Sequence, residues 1–163
     1  MAVKLGRFEM PERLKKDAET ATETYARFVA EPFEKGYGYT IGNSLRRVLL
    51  SSLEGAAIIA LKIEGAQHEF STIKGVFEDV TQIILNLKQV LLTSDSREPK
   101  KISLNISGPG EVKAGDIETG GVIQVLNPDL HIATLEKDGN LIAEMDVQIG
   151  RGYSLAEKNK KKG

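Results

Sequence analysis

The 163 residues, 40% apolar and 28% charged, suffice for one domain or two small ones around a real core, and they exclude a disordered chain. Lys and Arg number 22 against 23 Asp and Glu, and the resulting net charge of −1 excludes a global basic field that would draw the chain onto nucleic acid. The absence of Cys removes disulfide and thiolate chemistry. There is no apolar leader at the N-terminus and no window near the ~20 apolar residues of a membrane span, so a cytoplasmic location is expected.

In chain order, residues 1–22 are polar, interrupted by Pro11, and read as an arm without regular structure. TYARFVAE (24–31) alternates as a strand does and is closed by Pro32, with a turn at Glu34, Lys35 and Gly36. From Thr40 to Leu53, apolar residues fall at Ile41, Leu45, Val48, Leu49 and Leu53, one face of a helix. AIIALKIEG (57–65) reads as a strand bounded by Gly55 and Gly65. Val76, Val80, Ile83, Ile84, Leu87 and Leu91 mark a second amphipathic helix, whose opening acids Glu78 and Asp79 and later Lys88 suit its dipole. TSDSREPK is a polar loop, after which the period switches to two. KISLNIS (101–107), GVIQVLN (121–127), HIATL (131–135) and LIAEMDVQIG (141–150) read as strands separated by GPG, NP and KDGN turns. Helices and strands without strict alternation give an α+β fold. The chain ends in a charge run, KNKKKG, which offers at most non-specific attraction to nucleic acid.

GYGYTIGNSLRRVLLSSL (36–53) raises the question of phosphate binding. Gly36, Gly38 and Gly42 are spaced G-x-G-x-x-x-G, one residue off the dinucleotide fingerprint, and no Lys follows Gly42 as a P-loop requires. Glycines that turn a strand into a helix and let another backbone approach are the simpler reading, and Tyr37 and Tyr39 suit a packed interface better than a phosphate cradle. A nucleotide-dependent transferase using the Gly36–Gly42 loop stays open as the rival. His68 and His131 lack paired ligand spacing and read as surface or half-buried hydrogen-bonding residues. Glu64, Glu69, Glu78 and Asp79 read as a solvated face, so no catalytic, metal or cofactor residue is assigned. Arg46 and Arg47 are either solvated or interface anchors. One of them must lie near the apolar stripe, and the helix is apolar over more than one side.

EPFEKGYGYTIGNSLRRVLLSSLEGAA, HEFSTIKGVFEDVTQIILNLK and IGRGY, three ordered blocks, resemble the N-terminal domain of the bacterial RNA polymerase alpha subunit. The resemblance implies a strand–helix dimerisation subdomain, whose first part is residues 1–54, and an inserted, mostly β subdomain, residues 55–163, that contacts the large subunits. It implies a non-catalytic, cofactor-free scaffold that forms a homodimer and then recruits the β and β′ subunits. Tyr37, Ile41, Leu45, Val48 and Leu49 resemble dimer contacts, Arg46 and Arg47 a contact to β, and Lys88 a contact to β′. Family chains continue past the RGY motif, so a piece of a longer subunit is expected, with the dimerisation subdomain incomplete and no direct DNA contact.

Overall fold

The computed structural model describes residues 8–22 and 24–159. The chain divides into two units, Met1–Leu50 and Ser51–Gly163. The start of the expected arm (residues 1–7) and the end of the KNKKKG run (160–163) lie outside the described residues.

In the first unit, β1 (Lys15–Asp17) and β2 (Arg27–Val29) form an antiparallel ribbon in which Asp17 faces Arg27 and Lys15 faces Val29. Only the RFV centre of the expected strand pairs, and its partner comes from the segment read as an irregular arm. That ribbon is held by backbone pairing with no buried side chain, so apolar periodicity carried no sign of β1. Gly36, at φ +88°, takes the left-handed conformation that turns the chain into a helix, and the Tyr37 amide donates to the Glu34 carbonyl at 3.0 Å. The helix, α1, runs Tyr37–Ser52 and so begins ahead of the expected Thr40. Gly38 and Gly42 are helical residues, not members of a loop.

The second unit holds β3 (Glu54–Ile63), α2 (Val80–Leu87), β4 (Leu92–Ser94), β5 (Lys100–Ser107), β6 (Gly110–Lys113), β7 (Ile123–Val125), β8 (His131–Leu135), β9 (Asn140–Arg151) and α3 (Ala156–Asn159). A five-stranded antiparallel sheet has the order β5-β9-β3-β4-β7, and β6 pairs with β8 in a separate ribbon. The fold is α+β, as composition and pattern imply. Period-two alternation sends Leu141, Ala143, Met145 and Val147 of β9 and Ile102 and Leu104 of β5 into one core. Val80, Ile83 and Leu87 of α2 join it, as do Val112 of β6 and Ile132, Ala133 and Leu135 of β8.

Three differences from the expected elements have local causes. Gly55 lies inside β3 and does not bound it, since β9 pairs with the strand from Glu54 onward. The second helix is confined to Val80–Leu87 because Asp79 caps it: its carboxylate accepts from the Gln82 amide at 2.7 Å, and the Gln82 side chain accepts from the Asp79 amide at 3.2 Å. Val76, expected in that helix, instead bridges Leu135 of β8. Finally, β4 and β6 fall where the sequence reads as loop or turn, being too short to show a period of their own. Among the described residues no helix is long and apolar enough to cross a membrane.

Candidate protein-interaction site

None of the residues of α1 is buried. With successive residues about 100° apart around the axis, Tyr37, Ile41, Leu45 and Val48 share one stripe with Leu49 at its margin. Leu45 and Val48 are each 54% exposed and Leu49 58% exposed, whereas Ile41 is half-buried. Tyr37 is partly covered by the edge-on ring of Phe8, centroids 4.7 Å apart, a contact that depends on the arm and left no trace in periodicity. Arg46 and Arg47 flank the stripe on opposite sides and are exposed. Leu50, 65% exposed, lies between them on the far side, so the helix presents apolar surface in two directions. Lys88, exposed in the second unit, is the C-terminal cap of α2.

The glycines place a groove, not a phosphate loop, at the start of α1. It has a volume of about 510 Å³ and is lined by residues including Phe33, Glu34, Lys35, Gly38, Tyr39 and Asn43. Its charged lining residues are one acid and one base, and of the three glycines only Gly36 precedes the helix, so the glycine loop of a P-loop or dinucleotide fingerprint is not formed. A Cβ on Gly42 would meet nothing within 4 Å, so neither a turn nor packing inside this chain calls for glycine there.

Of the two histidines, His68 shares hydrogen bonds with Ser71: its amide donates to Ser71 Oγ at 3.1 Å, and its Nδ1 lies 3.3 Å from that oxygen. His131 lies between two carboxylates, Nε2 at 2.9 Å from Glu78 Oε1 and Nδ1 at 3.0 Å from Glu111 Oε1. Glu78, read from sequence as part of a solvated acidic face, is nearly enclosed there, while Glu64 remains exposed. The register of β6 on β8 creates this cluster, and nothing in the linear spacing signals it. Burial pushes the Glu78 carboxyl up, but the Thr134 amide and the His131 ring, with further hydrogen bonds, hold it below the usual carboxylate value. The Glu78 hydrogen bond, against the opposing effect of burial and with help from Glu111, raises His131 above the usual histidine value. Among the described residues no group of His, Asp or Glu is arranged to hold a metal ion.

The chain is similar to curated alpha subunits of DNA-directed RNA polymerase. The alpha subunit of DNA-directed RNA polymerase from Symbiobacterium thermophilum is 61% identical over 137 residues, 84% of this chain and 44% of the relative. The corresponding subunit from Nitratidesulfovibrio vulgaris is 56% identical over 147 residues, 90% of this chain and 42% of that one. The Leptospira biflexa subunit is 53% identical over 157 residues, 94% and 48%. The chain therefore spans less than half the length of these curated relatives. Residues 61–163, the stretch that supplies the whole buried core from Ile63 to Val147, match the family described as RNA polymerase Rpb3/RpoA insert domain, and the chain belongs to that family.

Proposed function

We propose that this chain acts as a non-catalytic assembly scaffold of a cytoplasmic RNA polymerase. Residues 1–54 contribute the first part of a dimerisation subdomain and residues 55–163 an inserted subdomain. Two copies join through the α1 stripe of Tyr37, Ile41, Leu45, Val48 and Leu49. Arg46 and Arg47 face the β subunit, and Lys88 faces β′. One observation carries this reading: among the described residues none before Ile63 is buried, although this stretch includes a helix rich in Leu, Ile and Val. Apolar side chains ordered without being buried forgo the main term that offsets chain entropy, so α1 has the character of half an interface. The names of the relatives supply the polymerase context. The nucleotide-transferase alternative has no such support, since two of its three glycines, Gly38 and Gly42, belong to a helix.

The test uses Arg47→Ala in the chain co-expressed with β and β′. Arg47 lies off the dimer stripe, so the variant retains self-association. Loss of a central interface Arg costs about 2–4 kcal/mol, a roughly 30- to 1,000-fold weaker hold on β. If size-exclusion chromatography recovers the variant in the β complex at wild-type concentrations, the assignment of Arg47 is wrong.

A further inference from the structure

The Glu78–His131–Glu111 cluster ties together three elements that are distant in sequence. Glu78 precedes the cap of α2, Glu111 lies on β6 and His131 opens β8. Beyond its bond to the ring, Glu78 accepts from the Thr134 amide at 2.6 Å through Oε2 and from the Thr134 hydroxyl at 3.1 Å through Oε1. The segment before α2 is held alongside β8 by its backbone as well: the Phe77 amide donates to the Thr134 carbonyl at 3.0 Å, and Val76 bridges Leu135. Around the ring, Lys113 is the register partner of His131, and its Nζ lies 3.6 Å from Glu111 Oε2. The Lys113 amide in turn donates to the Asp116 carboxylate at 2.8 Å.

An ionised carboxylate only accepts hydrogen bonds, and a neutral imidazole carries one N–H. Both ring nitrogens of His131 face carboxylate oxygens, so both bonds exist together only on the imidazolium. A neutral ring turns a lone pair toward one of the two acids and leaves Glu78 and Glu111 with Lys113 as the nearby counter-charge. We propose that Glu78, His131 and Glu111 form a clasp, closed when His131 is protonated and open when it is neutral, that sets how firmly the segment leading into α2 is held on the β6–β8 ribbon.

The pH range follows from the two shifts. His131 is raised above 6.5, so its contribution is complete below 6.5 and is lost as pH climbs through the raised value. Glu78 is lowered below 4.5, so its contribution is complete above 4.5 and is lost as pH falls through the lowered value. The clasp is therefore fully closed in mildly acidic solution and opens on either side.

The test is nitrogen NMR of the chain labelled with ¹⁵N-histidine, using His68→Gln to remove the second ring signal. His131 is expected to keep both N–H groups above pH 6.5 and to titrate higher. As it does so, amide protection from Phe77 to Val80, corrected for the intrinsic rise of exchange with pH, should fall roughly tenfold. His131→Gln and Glu111→Gln should each lower the melting temperature at pH 6, with the deficit shrinking toward pH 9. Titration of His131 at or below 6.5, unchanged protection after its deprotonation, or a deficit equal at both pH values overturns the clasp.

Discussion

Replacing Val48 by Asp puts the proposed dimer face to its most direct test. Leu45, Val48 and Leu49 leave 54%, 54% and 58% of their surface in water. Full burial of such side chains is worth about 1.5–3 kcal/mol each, so covering the remaining half gains roughly 0.8–1.6 kcal/mol apiece. For these residues on two symmetric helices the sum is about 5–10 kcal/mol before association entropy and ordering are subtracted. In a two-fold interface every substitution counts twice. Val48→Asp forfeits about 1 kcal/mol of burial per copy and adds an unpaired carboxylate that costs about 2 kcal/mol or more, roughly 6 kcal/mol per dimer. That is a loss of about four orders of magnitude in affinity. Sedimentation velocity over a concentration series should show the parent chain associating and Val48→Asp remaining monomeric. Leu50→Asp, on the opposite side of α1, should associate like the parent. If Val48→Asp sediments like the parent, or if Leu50→Asp is equally disruptive, the stripe is not the dimer contact.

Two further outcomes follow from the glycines. Gly42 sits inside α1 with open space where a Cβ would go, so Gly42→Ala should stabilise the isolated chain by about 0.5–1 kcal/mol in thermal melts while weakening self-association. Gly75 has φ +76°, and a Cβ there would lie 2.6 Å from the Gly139 Cα and 2.8 Å from its nitrogen, backbone against backbone. Left-handed strain and overpacking together should make Gly75→Ala cost about 2–5 kcal/mol, and an unchanged melting temperature would show that the Gly75–Gly139 approach is not tight.

How much of this was legible depended on whether a residue's role is local. The strands β5, β8 and β9 announce themselves because one face is buried and the other solvated, which forces alternation onto the sequence. The apolar spacing of α1 is equally plain, but it does not mark where the helix starts. Gly38 is a poor helix former, and only the three-dimensional turn at Gly36 shows that the helix has already begun by then. For α2 the apolar spacing from Val76 to Leu91 outlasts the helix, because Val76 is held by β8 and Leu91 lies beyond the Lys88 cap. The surplus apolar surface of α1 and the doubled arginines are plain in the sequence, and they carry the proposed interface. The Glu78–His131–Glu111 cluster is not, since its members are separated by 53 and 20 positions and meet only through the fold.

On the proposed reading, the distribution of burial makes association part of the folding problem for the N-terminal unit. Every buried hydrophobic side chain among the described residues lies between Ile63 and Val147, so the second unit has a core of its own. The first unit has a two-strand ribbon and all but the last two residues of the 16-residue α1, which has no buried residue. Isolated ribbons and single helices of that length are marginal in water, where backbone entropy costs more than local hydrogen bonds return. Under the proposed function, a helix that keeps Leu, Ile and Val on its surface and tolerates a mid-helix glycine meets a second copy, and its order and its partner are two aspects of one equilibrium. Stability of α1 should then rise with protein concentration while that of the β5–β9 core does not, a dependence that hydrogen exchange can resolve helix by helix.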